Sequence, residues 1–148
     1  MEVRRIETGK ERYLPLLLLG DEQESMIGRY LERGELYVLL DGERTPALCV
    51  VTDEGDGVLE LKNIAVAPEA RRRGCGRYLI EFLRARYRGR FRVLQAGTGD
   101  SPLTVPFYEA CGFRRSHVVE GFFLEHYDHP IYEAGVRLRD MIYFRTEL

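Results

Sequence analysis

The chain has 148 residues, enough for one ordinary hydrophobic core, and residues 1–148 read as a single domain. Hydrophobic residues make up 45% and charged residues 31%, the balance of a globular protein rather than a disordered or fibrous one. The net charge of −2 excludes a general nucleic-acid binder, which would carry a basic excess.

Met1 to Ile6 alternates as a first strand. Lys10 to Leu19 reads as a short helix whose regularity Pro15 limits. Asp21 stands where a helix cap belongs, with Glu24 three residues on as in a capping box. Met26, Ile27, Tyr30 and Leu31 form an apolar stripe at helical spacing, and Gly34 stops it. Glu35 to Leu40 and Pro46 to Val51 are two strands joined at the Asp41-Gly42 turn. Asp53 to Gly57 is a second turn, and Val58 to Val66 is a third strand. Its even positions (Val58, Glu60, Lys62, Ile64, Val66) share one face by alternation.

The pattern then changes. Pro68 to Arg73 is a basic loop, and Gly74 opens a helix with Tyr78, Leu79, Phe82, Leu83 and Tyr87 on one face and Glu81, Arg84 and Arg88 away from it. Gly89 ends that helix, and Phe91 to Ala96 is a strand. Strand, helix, strand makes a right-handed βαβ unit with a parallel pair. Gly97 to Asp100 reads as a loop, Leu103 to Ala110 as a short helix capped by Gly112, and Phe113 to Phe123 as mostly extended. Val136 to Arg145 is the last strand. The fold class is α/β, one mixed, mostly antiparallel sheet with helices.

The N-terminus has no apolar run after Arg4-Arg5, so no signal peptide is expected. Purely apolar stretches such as Leu16 to Leu19 are far below the roughly 20 residues that cross a bilayer. Cys49, Cys75 and Cys111 are odd in number and widely spaced, with neither metal nor disulfide patterning. Reduced thiols in a cytoplasm are the expectation.

The chemistry concentrates in Asn63 to Gly76, where a strand enters a loop of arginines and glycines and a helix begins. A helix N-terminus offers unpaired N–H groups and a partial positive charge. Glycines let an anion approach those groups, and a diphosphate suits such a place. A Rossmann fingerprint would need a third glycine and the first βα unit, and a P-loop would need Gly-Lys-Ser/Thr; both are absent.

Arg71-x-x-Gly74-x-Gly76 after Ile64-Ala65-Val66-x-Pro68 resembles the acetyl-CoA signature of the GNAT N-acetyltransferase superfamily. Phe107-Tyr108-Glu109-Ala110-Cys111-Gly112-Phe113 resembles that family's tyrosine-bearing helix. The resemblance spans nearly the whole chain, and its tail looks like an uncharacterised bacterial subgroup. It implies a parallel strand pair splayed around acetyl-CoA. It places the pantetheine arm along Ile64, Ala65 and Val66, and the diphosphate on Arg71, Arg72, Arg73, Gly74, Cys75 and Gly76. Tyr108 matches the tyrosine that protonates the leaving thiolate, against a packing role. Glu60 matches a catalytic base, against a glutamate merely paired with Lys62. Where many relatives carry an asparagine this chain has Asp100, so Thr98 or Ser101 is expected to substitute. His117, His126 and His129 read as surface or structural. His126-Tyr127-Asp128 is a candidate pocket wall, and Asp140 a candidate partner for a cationic amine or an internal arginine. The implied activity is direct acetyl transfer to a small-molecule or peptide amine, the alternative being a non-catalytic acetyl-CoA sensor. Relatives often pair, and with the aromatic tail from Phe122 to Tyr132 this implies a homodimer.

Overall fold

The computed structural model describes residues 1–148. In chain order it contains β1 (Glu2–Ile6), α1 (Leu14–Gly20), α2 (Glu24–Ile27), β2 (Glu35–Asp41), β3 (Arg44–Asp53), β4 (Val58–Val66), α3 (Cys75–Tyr87) and β5 (Val93–Gly99). It continues with α4 (Thr104–Ala110), β6 (Arg114–Val119), α5 (Phe122–His126), β7 (Tyr132–Glu133), β8 (Val136–Arg137) and β9 (Met141–Glu147). Seven strands form one sheet in the order β1-β2-β3-β4-β5-β9-β6, in which only the β4–β5 pair is parallel.

The sheet is covered on both faces. Leu79, Ile80, Leu83 and Tyr87 of α3 and Val105 and Tyr108 of α4 pack one face with Leu59, Leu61, Leu94 and Phe144. Leu17 of α1 and Ile27, Tyr30 and Leu31 from α2 and its following turns pack the other with Leu36, Val38, Leu48, Val50 and Ala65. Leu79, Ile80 and Leu83 are fully buried, and each such side chain contributes about 1.5–3 kcal/mol. On α3 the buried stripe takes in Ile80, whereas Tyr78, placed on the inner face by its spacing, is exposed.

Several sequence expectations need correction. The Lys10–Leu19 helix is a 3-10 turn at Lys10–Tyr13 followed by α1, with Pro15 in the first turn, where its missing N–H costs nothing. Lys10 is itself buried, its Nζ donating to the carbonyls of Leu31 (3.0 Å) and Gly34 (2.8 Å). Asp21 does not cap α2; the capping position is Gln23, without a side-chain bond. The loop expected at Gly97–Asp100 is strand through Gly99, because Gly97 and Gly99 pair with Tyr143 and Met141. Their lack of a Cβ makes room: one on Gly99 would lie 2.6 Å from Leu138, and one on Gly97 2.8 Å from Met141 Sδ. The extended run expected over Phe113–Phe123 stops at Val119, and Gly121, at φ 68°, turns the chain into α5. The single last strand is two pieces, β8 in a small hairpin and β9 in the main sheet.

The alternation expected along β4 is also broken. Val50 pairs with Asn63 but Val51 pairs with Leu61, so Lys62 is an extra, bulged residue. Leu59 and Leu61 therefore share a face with Ile64 and Val66, all in the α3-side core, while Glu60 turns to the α1 side.

Candidate active site

The parallel register runs Val58–Val93, Leu59–Leu94, Glu60–Gln95, Leu61–Ala96 and then ends. Beyond Leu61, β4 continues to Val66 on β3 alone, and β5 continues to Gly99 on β9 alone. The two strands therefore part, and the backbone of Lys62 to Val66 loses its partner on the β5 side. Ile64, Ala65 and Val66, expected to hold a pantetheine arm, line the β4 side of this opening.

The loop after β4 leads into α3. Gly74 occupies the capping position in the left-handed region, at φ 77°, and the preceding Arg72 is also left-handed, at φ 63°. None of the backbone N–H groups from Arg72 to Arg77 donates to a backbone carbonyl, so a row of donors is free at the helix start. Arg71, Arg72, Arg73 and Gly74 are exposed, whereas Cys75 and Gly76 are buried. A Cβ on Gly74 would meet nothing within 4 Å, while one on Gly76 would lie 3.1 Å from the Phe107 ring. An open, donor-rich helix start with a bare glycine at its edge fits an anion such as a diphosphate.

Where the strands part, a cleft of about 370 Å³ opens on the α1 side of the sheet. Its floor is Glu60, Leu61, Lys62 and Gly97 to Gly99; one wall is Leu19 to Glu22, Met26 and Tyr30. The other wall comes from the segment between β6 and β9, through Phe122, Phe123, Tyr127, Ile131, Glu133 and Leu138. Phe123, Ile131 and Leu138 form a small core of their own, with Phe122, Tyr127 and Met141 packed against it. Most aromatics of the tail thus turn inward; Tyr132 is exposed.

Glu60 is buried on the cleft floor, and both its oxygens are engaged. Gln95 Nε2 donates to Oε1 at 2.6 Å, and Lys62 Nζ lies 2.7 Å from Oε2. Arg145 Nε in turn donates to Gln95 Oε1 at 2.8 Å, which holds the amide in that orientation. The expected pairing with Lys62 is present, and the glutamate still faces the cleft. Tyr143 closes the same floor; burial, with the Glu60 and Glu54 charges adding, pushes its hydroxyl up to about 12.

Asp21 accepts from Tyr127 at 2.8 Å and from Tyr30 at 3.1 Å, and the Tyr30 hydroxyl accepts from Asn63 Nδ2 at 3.1 Å. A hydrogen-bonded chain thus ties β4 to the far wall of the cleft. Burial raises the Asp21 pKa despite those donors. Gly20 lets α1 lie directly on β4: a Cβ there would sit 2.1 Å from Asn63 Oδ1 and 3.0 Å from the Ile64 carbonyl.

Tyr108 is buried outside the cleft lining, stacked on Phe144 at 5.7 Å and edge-on to Phe107 and Phe113. Burial raises its pKa, with Cys111 and Glu133 adding to the rise. Thr98 Oγ1 donates to Thr104 Oγ1 at 2.7 Å, and Ser101 Oγ accepts from the Leu103 N–H at 3.1 Å. Both hydroxyls therefore tie the end of β5 to the start of α4, and Thr98 also lines the cleft. Asp100 is exposed, with Arg115 3.8 Å away.

Of the segment His126-Tyr127-Asp128, only Tyr127 lines the cleft. His126 instead ties the far wall to the turn after α2 through Arg29 (3.4 Å), and His129 ties it to the α1–α2 connection through Glu22 (2.9 Å). His117 stacks on Tyr143 at 4.6 Å. Asp140 meets neither an amine site nor an arginine; its Oδ1 accepts from the Gly121 N–H at 2.9 Å, holding the turn into α5. Sequence reasoning missed Glu133 and Asp21 as cleft residues. Asp21 was absorbed by its resemblance to a helix cap, and Glu133 sits in a stretch whose hairpin left no periodic signal.

Residues 32–115 match the acetyltransferase (GNAT) domain family. An uncharacterised N-acetyltransferase of Bacillus subtilis (strain 168), YvbK, is 34% identical over 154 residues, covering all of this chain and 99% of that protein. A solved GNAT family acetyltransferase from Elizabethkingia anophelis, with acetyl-CoA bound, superposes with a TM-score of 0.93 at 30% identity, over 99% of this chain and 97% of the other. An IAA acetyltransferase from Bacillus cereus ATCC 14579 superposes with a TM-score of 0.89 at 33% identity, over 99% and 100%. With the splayed parallel pair and the glycine-edged helix start already in place, these similarities have one reading: the chain belongs to the GNAT family of acetyltransferases.

Proposed function

We propose that this protein moves the acetyl group of acetyl-CoA to a primary amine by direct attack, with both substrates bound at once. The observation that carries this reading is the parting of β4 and β5 between two complementary sites. On one side lies the free N–H row of Arg72 to Arg77, and on the other the cleft. The helix start and its arginines receive the diphosphate. The unpartnered edge of β4 from Ile64 to Val66 takes the amides of the pantetheine arm as a further strand would. The acetyl group is then delivered at Leu61 and Gly97, where the cleft floor begins.

The amine reaches the acetyl carbon from the cleft and must lose a proton to attack. Glu60 has its two oxygens bonded to Gln95 and Lys62, and a carboxylate has about four lone-pair sites. It therefore still accepts from a water on the cleft floor and takes the proton through that water. Tyr108 keeps its proton at neutral pH because burial raises its pKa. Its hydroxyl donates to the sulfur and stabilises the departing thiolate. Thr98 at the cleft edge, or Ser101 beside it, takes the cofactor contact for which Asp100 has no amide donor.

Acetyl-CoA added to the purified chain should raise the unfolding temperature, and an amine panel should then release free thiol from acetyl-CoA. A folded sample whose unfolding temperature does not move with acetyl-CoA would remove the assignment.

A further inference from the structure

The cleft holds four carboxylates, and three are spoken for. Asp21 accepts from two tyrosines, Glu22 pairs with His129, and Glu60 is bonded to Lys62 and Gln95. Glu133 differs: its Oε2 is shut away from solvent and has no hydrogen-bond partner. No lysine, arginine or histidine nitrogen lies within 4.0 Å of it. The cations on the cleft are engaged elsewhere: Lys62 with Glu60, Arg33 with Glu54, and Arg29 with Met26 and His126.

The local fold fixes that carboxylate in place. Glu133 pairs with Val136 across a two-residue turn, Ala134-Gly135, in which both residues have positive φ (48° and 77°). This is the mirror-image turn whose twist suits a tight hairpin, and alanine is an unfavourable residue for it. The hairpin is closed by the Leu138 N–H donating to the Ile131 carbonyl at 2.8 Å. By alternation Glu133 points the same way as Ile131, whose side chain is buried in the small core of the cleft wall. A strained turn on a packed hairpin thus holds one carboxylate oxygen away from solvent without a partner, which a bound cation would supply.

We propose that Glu133 is the counter-ion for the acceptor's ammonium, and that the acceptor is a primary amine carried on an apolar body. The rest of the wall around Glu133 sets the second half of that statement: Phe122, Phe123, Ile131, Leu138 and Tyr143 offer apolar surface. The position also suits transfer. Glu133 lines the same cleft as Glu60, the group proposed to take the amine's proton. The inference rests on the acetyl-transfer reading above.

The test compares 2-phenylethylammonium with 2-phenylethanol, its neutral look-alike, by calorimetric titration into CoA-saturated protein at pH 7. The wild-type chain should bind the ammonium roughly 10- to 100-fold tighter than the alcohol, the range for a charge-assisted hydrogen bond. Glu133→Gln should level the two while leaving alcohol binding unchanged. A variant that keeps the preference for the ammonium, or a wild-type chain that shows none, overturns the proposal. The acetyl-CoA thermal shift, measured on both proteins, separates the two levels of argument. If both shift and the preference is absent or survives in the variant, only the role of Glu133 falls; if the wild-type chain does not shift, the acetyl-transfer reading falls with it.

Discussion

Gly74 and Gly76 both edge the free N–H row of α3, yet the structure gives them different tasks, and alanine at each should separate them. Gly74 sits at φ 77°, a conformation that costs a residue with a Cβ about 1–2 kcal/mol. A Cβ there meets nothing within 4 Å, so the backbone term is the whole cost to the empty protein. For a chain of this size about 1 kcal/mol moves the midpoint by roughly 2–4 °C. Gly76 has ordinary helical φ, and its added Cβ presses on the Phe107 ring at 3.1 Å. Alanine also gains up to about 1 kcal/mol of helix propensity over glycine. The two terms oppose each other, and the empty Gly76→Ala protein should unfold within about 2 °C of wild type. Acetyl-CoA at 100 times its dissociation constant adds about 2.7 kcal/mol to the wild type. In Gly74→Ala that gain should shrink by about 1.4 kcal/mol for each tenfold loss of affinity, as the new methyl takes up open space at the helix start. Differential scanning fluorimetry with and without acetyl-CoA reads both quantities. An unchanged midpoint for the empty Gly74→Ala protein would refute the left-handed cap, and a full acetyl-CoA shift in both variants would move the diphosphate away from this helix.

Tyr108→Phe leaves the stacking on Phe144 in place and should keep the acetyl-CoA thermal shift, while thiol release with a working amine falls roughly 100-fold, the low end for a positioned proton donor; wild-type turnover would reduce Tyr108 to packing. Gly20→Ala puts a Cβ 2.1 Å from Asn63 Oδ1 and should cost about 1–3 kcal/mol as α1 lifts from β4, a loss that urea denaturation would measure and whose absence would mean that the contact relaxes freely. Asp21 has its pKa raised by burial, so the folded chain binds its proton more tightly than the unfolded chain, and its contribution to stability falls as pH rises from about 3.8 through the raised value. Asp21→Asn removes that dependence, so its midpoint should gain on wild type as pH rises from 4 to 7; parallel curves would contradict the burial argument.

The sequence marked those parts of the fold in which local pattern and final environment coincide. The strands from Glu35 to Val66 announce themselves through apolar runs and the Asp41-Gly42 turn, and α3 through its apolar stripe; all form where the pattern says, although the Lys62 bulge breaks the alternation of β4 and Tyr78 leaves the stripe of α3. The failures share a cause: contacts distant in sequence overrode local signals. Gly97 and Gly99 look like loop residues, yet they are strand because Leu138, Met141 and Tyr143 lie against bare backbone there. Asp21 looks like a helix cap until Tyr127, more than a hundred residues on, claims its carboxylate. The bulge at Lys62 has no local signature either, and it alone decides that Glu60 faces the cleft while Ile64 joins the opposite core.

The same distinction explains why the two substrate sites were unequally legible. The proposed diphosphate site is built from consecutive residues, Arg71 to Gly76, because one helix start supplies most of what a diphosphate needs; such a site is written in one short stretch of sequence. The proposed acceptor cleft draws on segments near residues 20, 30, 60, 98 and 122–143, and its four carboxylates come from three places distant in sequence: the α1–α2 connection (Asp21 and Glu22), β4 (Glu60) and β7 (Glu133). Its character depends on which charges are left over after the others have paired. Apart from the pairing of Glu60 with Lys62, the sequence does not show which of these carboxylates find partners; the folded chain supplies two tyrosines to Asp21, His129 to Glu22, and Lys62 and Gln95 to Glu60. A binding preference that arises as the remainder of a pairing pattern is set by the whole tertiary structure. A change in any of those partners, Lys62→Met for instance, should therefore alter which carboxylate the amine meets, without a substitution at Glu133 itself.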